Sequence, residues 1–479
     1  MPSQRRTSTS TLCGILGLFG SAVAAATPTV PAAANLGLPQ ARQITLAEAL
    51  ALARSHQPAV LASLARMRTE KANAEVPRAQ YYPVLGLTAQ FLEGTTNNST
   101  ASYLTAPFVD LPRIGGTPTT NGTDARWKPY ASTLAGAGLS QEIFDFGRIA
   151  AEAAAADARV TIAARAADTQ LLDIELNVEE AFFAVHAAKA ILQASEDAYQ
   201  RSLVHRDFAG AGVKSGLRPP IELTRAEADL TRFDTARIRA RGGVSASQAV
   251  LAAAVGSSDL VLDAADQTPL SVDLPALANA IQLASERDPR LQEALARLRQ
   301  QELETRAAGA LARPDLRLSA AISGRAGGAA PSNGGAEASE GGYLPNIPNW
   351  DGALVLSWPI FDPTINARQR ASRVAEEVQR SEIDLVRQQV ISAVEQAYVG
   401  VVVARDALPS LEHELEAARA NYAQAEARFK AGLGTSVELA DAEALRADAE
   451  IHLAIGVFDL ARTRAAFGRA IAEGAGSHP

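Results

Sequence analysis

Residues 316–323 read LRLSAAIS, and this stretch decides the fold because its larger apolar residues fall on alternate positions. Side chains alternate between the two faces of a β-strand, so the pattern predicts a strand with one apolar face. Residues 350–358, WDGALVLSW, predict a returning strand of the same kind. Residues 85–91, LGLTAQF, and the Ala- and Gly-rich residues 130–141 predict a second strand pair.

These two strand pairs belong to a unit that the chain contains twice. The sequence LAEA at 46–49 matches LANA at 277–280, and VEEAF at 178–182 matches VEQAY at 394–398. The offset changes along the chain, which indicates that loops changed length while the elements stayed. We therefore expect a signal peptide at 1–26, two repeats, a linker and a tail. The first repeat covers 27–256, with strands at about 84–141 and long helices at about 147–255. The second repeat covers 277–472, with strands at about 315–360 and long helices at about 364–472. The linker between them covers 257–276, and the tail covers 473–479.

Each repeat is predicted to contain long helices. In the first copy one opening helix is expected from about Leu46 to Gln80. After the strands, the absence of proline between Pro129 and Pro219 permits a helix about 100 Å long. The second copy permits the same length, although Pro409 should kink it. Gly-, Asn- and Ser-rich residues at 93–128 and 324–349 predict long hairpin loops.

The first 26 residues have the features of an export signal. Arg5 and Arg6 precede an apolar run at 12–19, and small residues follow at 22–26. The only cysteine, Cys13, lies in this removable segment, so no disulfide is expected in the mature chain. The formal net charge is −8 and no dense basic patch occurs, so nucleic acid is not expected as a partner.

Aromatic residues mark the ends of the predicted strands. They are Trp127, Tyr130, Trp350 and Trp358. Such residues are typical of the interface between a membrane and water, although a soluble antiparallel sheet is the alternative. The export signal favours an outer-membrane β-barrel. Four strands cannot close a barrel, for which about eight is the usual minimum. Several chains must then contribute strands, eight from two chains or twelve from three, and the strands alone do not choose between these numbers.

No pattern in the sequence predicts an enzyme, a cofactor or a metal site. Phosphate-binding loops, nucleophile motifs and metal-ligand spacings are missing from the sequence. The scattered histidines are interpreted as ordinary helix surface or tail: His56, His186, His205, His413, His452 and His478. A structural alternative to a pore is a periplasmic coiled-coil scaffold, but a rod does not explain the two interrupting strand pairs.

Four motifs together resemble the TolC-like outer-membrane efflux proteins. They are ITLAEAL at 44–50 followed by Pro58, LSQEIFDFG at 139–147, GLRPPIEL at 216–223 and AGLGTSVELADAE at 431–443. The resemblance extends from about Leu46 to Ala472. It implies a mixed α and β membrane protein of the outer membrane, in which a trimeric 12-stranded β-barrel with four strands per chain is continued by a long α-helical barrel into the periplasm.

The same resemblance implies a function and partners. It implies passive export of small molecules by a homotrimer in outer-membrane lipid, docked to a periplasmic adaptor protein and an inner-membrane pump. The outer-membrane duct of a type I protein secretion system is the alternative within the family.

The resemblance also implies two kinds of site. The helix-turn-helix tips would face the adaptor: Gly216, Leu217, Arg218 and Pro219, and Gly432, Leu433, Gly434 and Thr435. Glu438 and Asp441, here named the entrance pair, would form a cation-attracting ring at the periplasmic entrance; a solvated helix face is the alternative. Family members that lock this entrance use a phenol and an arginine where Phe429 and Gly434 stand, so that lock cannot exist here in the same form.

Overall fold

The computed structural model describes residues 42–94, 129–257, 261–265, 274–327 and 347–473. The predicted signal peptide, Trp127 and most of the two predicted hairpin loops lie outside these residues.

The two halves of the chain follow the same order of elements. Each begins with a short strand and short helices, continues with two long strands, and ends with a very long helix followed by a shorter one. In the first half these are β1 Arg42–Ile44, α1 Leu46–His56, α2 Pro58–Asn73, α3 Glu75–Ala79, β2 Val84–Gly94, β3 Tyr130–Phe144, α4 Arg148–Lys214 and α5 Pro220–Val255. In the second half they are β4 Leu262–Ala264, α6 Leu277–Arg287, α7 Pro289–Ala310, β5 Asp315–Gly327, β6 Ile347–Ser357, α8 Pro363–Lys430 and α9 Ser436–Ala470.

The long helices have the length that the sequence predicts. Helix α4 contains 67 residues and α8 contains 68, which corresponds to about 100 Å each. Helix α8 includes Pro409 within its span, and the kink expected there stays a prediction. Among the described residues, none of the helices carries an apolar stretch long enough to cross a lipid bilayer.

The prediction of one opening helix from Leu46 to Gln80 is wrong, because the chain forms three helices there. The first break lies at Gln57, whose backbone is extended with ψ 119°. Proline clashes with a helical backbone at the residue before it, so Pro58 forces this break and then begins α2. Asp288 before Pro289 has the same extended backbone, with ψ 120°.

The four long strands form one antiparallel sheet in the order β2-β3-β5-β6. Its two faces differ in chemistry. One row pairs Leu87 with Ala137, Ile322 and Trp350 across the four strands, and Leu87 and Trp350 are 87% and 84% exposed. The next row lies on the opposite face and carries small or polar residues, among them Thr88. The sheet therefore has one exposed apolar face and an opposite face of mainly small or polar residues, which also carries Val84 and Val355.

The helices pack through separate apolar clusters in the two halves. In the first cluster, Phe182 and Val178 of α4 pack with Leu251 of α5 and with β1 and β4, the paired short strands that begin the two halves. In the second, Val394 of α8 packs with Phe467 of α9. Both clusters lie between the sheet and the far ends of the long helices, where the candidate site is found.

Candidate functional site

The turns between the long helices have the same backbone geometry in both halves. The first tip, residues 212–220, joins α4 to α5, and the second tip, residues 428–436, joins α8 to α9. Gly216 and Gly432 have left-handed φ values of +74° and +75°. The N–H groups of Leu217 and Leu433 each donate to the carbonyl five residues earlier, at 2.9 Å. This is the Schellman arrangement, for which glycine is the least strained residue.

The tips present apolar side chains at their ends. Leu217 is 83% exposed and Leu433 is 75% exposed, and Pro219 and Thr435 are exposed as well. Gly434 is packed closely, since a Cβ there would approach the backbone N of Phe429 to 3.1 Å. Exposed leucines at the ends of two helical hairpins form a surface suited to contact with another protein.

Arg218 does not share this exposure, because its side chain is only 13% exposed and reaches from the first tip to the second. Its Nη2 donates to the carbonyl of Phe429 at 2.8 Å, and its Nη1 donates to Glu222 at 2.6 Å. The guanidinium also lies 3.8 Å from the centroid of the Phe429 ring, which is 2% exposed. Phe429 has no hydroxyl group to donate. Its contact with the first tip is made instead by the Arg218 guanidinium.

The entrance pair follows the second tip directly on α9. Both side chains are exposed. The N–H of Glu438 donates to the Thr435 hydroxyl at 3.2 Å, and the Glu438 carboxylate lies 4.0 Å from the Arg428 guanidinium. A carboxylate in the first turn of a helix is stabilised by the helix dipole. Within one chain, Glu438 therefore stabilises the start of α9. A ring of six carboxylates would require three chains.

A buried ion pair beside the tips was not predicted. Glu443 of α9 is 1% exposed, and Nε of Arg201 on α4 donates to both of its carboxylate oxygens at 2.9 and 3.0 Å. Burial raises the pKa of Glu443 to about 7, although the Arg201 charge opposes this shift. Glu443 is thus a carboxyl group that can change its charge near neutral pH.

Further polar groups surround this pair. Glu450 lies 3.2 to 3.6 Å from the guanidinium groups of Arg201, Arg446 and Arg419. A ring nitrogen of His205 lies 2.8 Å from the hydroxyl of buried Tyr422, and burial lowers the pKa of this histidine. The interpretation of His205 as ordinary helix surface is therefore wrong. This network joins α4, α8 and α9.

Two of the predicted interface aromatics lie along one edge of the sheet. Trp350 is in β6 and Trp358 follows its end; both are exposed, and the Trp358 indole N–H donates to the Ala312 carbonyl at 3.3 Å. Eight residues of extended chain separate them by about 26 Å along the strand direction. Tyr130 begins β3.

Comparisons with known proteins give consistent results. The family model described as outer membrane efflux protein matches residues 49–257 and 280–468. Protein CyaE of Bordetella pertussis is 25% identical over 406 residues, which cover 84% of this chain and 78% of that protein. Among solved structures, the outer-membrane channel OprN superposes with a TM-score of 0.71 at 19% identity, covering 91% of each chain. The Campylobacter jejuni CmeC outer membrane channel gives a TM-score of 0.71 at 14% identity, covering 89% of this chain and 85% of that one. The chain is therefore similar in fold to both channels.

Proposed function

This chain belongs to the outer membrane efflux protein family, and on that premise we propose that it is the outer-membrane channel of a tripartite efflux system, which exports small molecules passively. One observation carries the proposal. A four-stranded sheet with an exposed apolar face leads directly into helices about 100 Å long, through β3 into α4 and through β6 into α8. Such a chain combines a membrane-facing surface with a long extension.

Closure of the barrel needs more than one chain. Strands β2 and β6 are the edges of the sheet, and lipid offers no hydrogen bonds to an unpaired edge. In the proposed homotrimer, β2 of each protomer pairs with β6 of the next, which gives a 12-stranded barrel. The outer membrane is the expected location.

The two faces of the sheet then acquire separate roles. The apolar face, with Leu87 and Ile322, contacts lipid, while the opposite face, with Thr88 and Ser323, lines a wet channel. Trp350 and Trp358 sit near the two boundaries of the bilayer.

The long helices form an α-helical barrel that extends into the periplasm. Its far end carries the two tips, which dock to a periplasmic adaptor protein, and the adaptor connects the duct to an inner-membrane pump. The entrance pair of each chain contributes to a ring of six carboxylates that attracts cations. The duct has no catalytic step of its own.

The proposal is tested by current measurements on the mature protein in planar lipid bilayers. A duct should give discrete, reproducible current steps. A matched pair of variants checks the orientation of the sheet: Ile322→Asp should prevent membrane insertion, while Ala353→Asp, at an exposed position of the opposite face, should insert and conduct. Folded, inserted protein that carries no current would refute the channel, and extraction from cells without detergent would favour the coiled-coil scaffold.

A further inference from the structure

Arg218 is held by three contacts, two with Phe429 at the end of α8 and one with Glu222 of α5. Its guanidinium stacks on the Phe429 ring at 3.8 Å, donates to the Phe429 carbonyl at 2.8 Å, and donates to Glu222 of α5 at 2.6 Å. The ring of Phe208 on α4 lies 5.6 Å from the same group. One side chain of the first tip therefore contacts α4, α5 and the end of α8.

The backbone of the first tip is shaped to admit this side chain. A Cβ at Gly212 would lie 2.9 Å from Cδ of Arg218. Glycine at this position leaves the space in which the arginine stem crosses the end of α4. A larger residue at Gly212 would push Arg218 away from Phe429 without changing the charge of the tip.

The electrostatics favour the same placement. The Phe429 carbonyl belongs to the last turn of α8, where the helix dipole favours a cation. Glu222 lies in the first turn of α5, where the dipole favours an anion. Arg218 bridges the two helix ends, and its planar group supplies both the stacking face and the directed donors, which a lysine cannot do.

We propose that Arg218 is the positioning residue that fixes the second tip against the first, and thereby sets where the entrance pair lies in the duct. The second part of this inference rests on the proposed function. The entrance pair lies close to the second tip. Glu438 is only two positions beyond the last residue of that tip, and its carboxylate faces the guanidinium of Arg428 within the tip.

The proposal is tested first by the distance between the two tips. Spin labels are attached to cysteines introduced at Leu217 and Leu433 of the full mature chain, and their distance distribution is measured by pulsed electron paramagnetic resonance. Arg218→Gln should broaden the distribution. Gly212→Val should do the same although it keeps the arginine, and Arg225→Gln, at an exposed arginine of α5, should leave it unchanged.

The second readout is single-channel current. Arg218→Gln and Gly212→Val should raise the conductance and weaken block by a multivalent cation added from the periplasmic side, and Arg225→Gln should not. A distance distribution that either of the first two variants leaves at its wild-type width would overturn the positioning role. If no form conducts, the proposed function fails, while the distance measurement still decides whether Arg218 fixes the tips.

Discussion

Burial of Glu443 predicts that stability falls as the pH rises toward and past neutrality. The pKa of this carboxyl is raised from 4.5 to about 7 by desolvation, so the folded protein holds a proton that the unfolded chain releases near pH 4.5. The contribution of the protonated Glu443 carboxyl to the free energy of unfolding is fully present below about pH 4.5 and is lost as the pH rises through about 7. The difference between the two pKa values corresponds to about 3 kcal/mol per chain, as an upper limit.

The variant Glu443→Gln isolates this contribution because it stays neutral at every pH. Thermal unfolding followed by circular dichroism should show the wild type losing stability relative to the variant between about pH 5 and pH 8. Asp448→Asn, at an exposed acid of the same helix, should follow the wild type. Arg201→Met should deepen the loss above pH 7, because it leaves an ionised carboxylate without its partner. An identical pH dependence in wild type and Glu443→Gln would refute the reasoning.

Three further outcomes are expected. Gly256→Ala should lower the free energy of unfolding by about 2 kcal/mol or more, because φ is +82° and the new Cβ would lie 2.7 Å from the backbone of the α1–α2 break. In the same thermal unfolding assay, Gly243→Ala should not destabilise the protein, because a Cβ there meets nothing within 4 Å. Leu87→Asp should block membrane insertion in a fractionation assay, whereas Thr88→Asp on the opposite face should insert. Converting the entrance pair to Gln and Asn should weaken cation selectivity and trivalent-cation block in planar bilayers, and unchanged currents would return both residues to a plain solvated helix face.

The strands and the long helices were predictable because their signals are local. Alternation at residues 316–323 depends only on the two faces of a strand. The register of Ile322 with Trp350 puts the leucines of both strands on the same face as these two residues, while Val355 lies opposite Arg317 on the other face. Helix α4 was predictable because proline is missing from the interval that contains it, and α8 was predictable as its counterpart in the second repeat, although it contains Pro409. The break at Gln57 also has a local cause, Pro58. The helical spacing of apolar residues continues on both sides of it, and this spacing alone predicts one continuous helix.

The buried polar network could be predicted only in part. Glu443 lies four residues after Leu439 and one after Ala442, both buried, so helical spacing places it on the packed face of α9. That spacing was a usable signal for a buried acid. Its partner Arg201 lies 242 positions earlier in the chain, and no local pattern pairs the two. The same holds for Arg218 and Phe429, which meet across 211 positions.

Closure of one barrel by three chains is tested most directly by disulfide cross-linking between the edge strands of neighbouring chains. The only natural cysteine, Cys13, lies in the predicted signal peptide, so cysteines introduced along β2 and β6 are the only thiols expected in the mature chain. Each variant carries one cysteine in each edge strand. Oxidation in the membrane should convert matched positions into a covalent species of three chains on a denaturing gel. Cross-linking that stops at two chains, or a membrane-inserted protein that stays monomeric at every pair of positions, would contradict the trimeric duct.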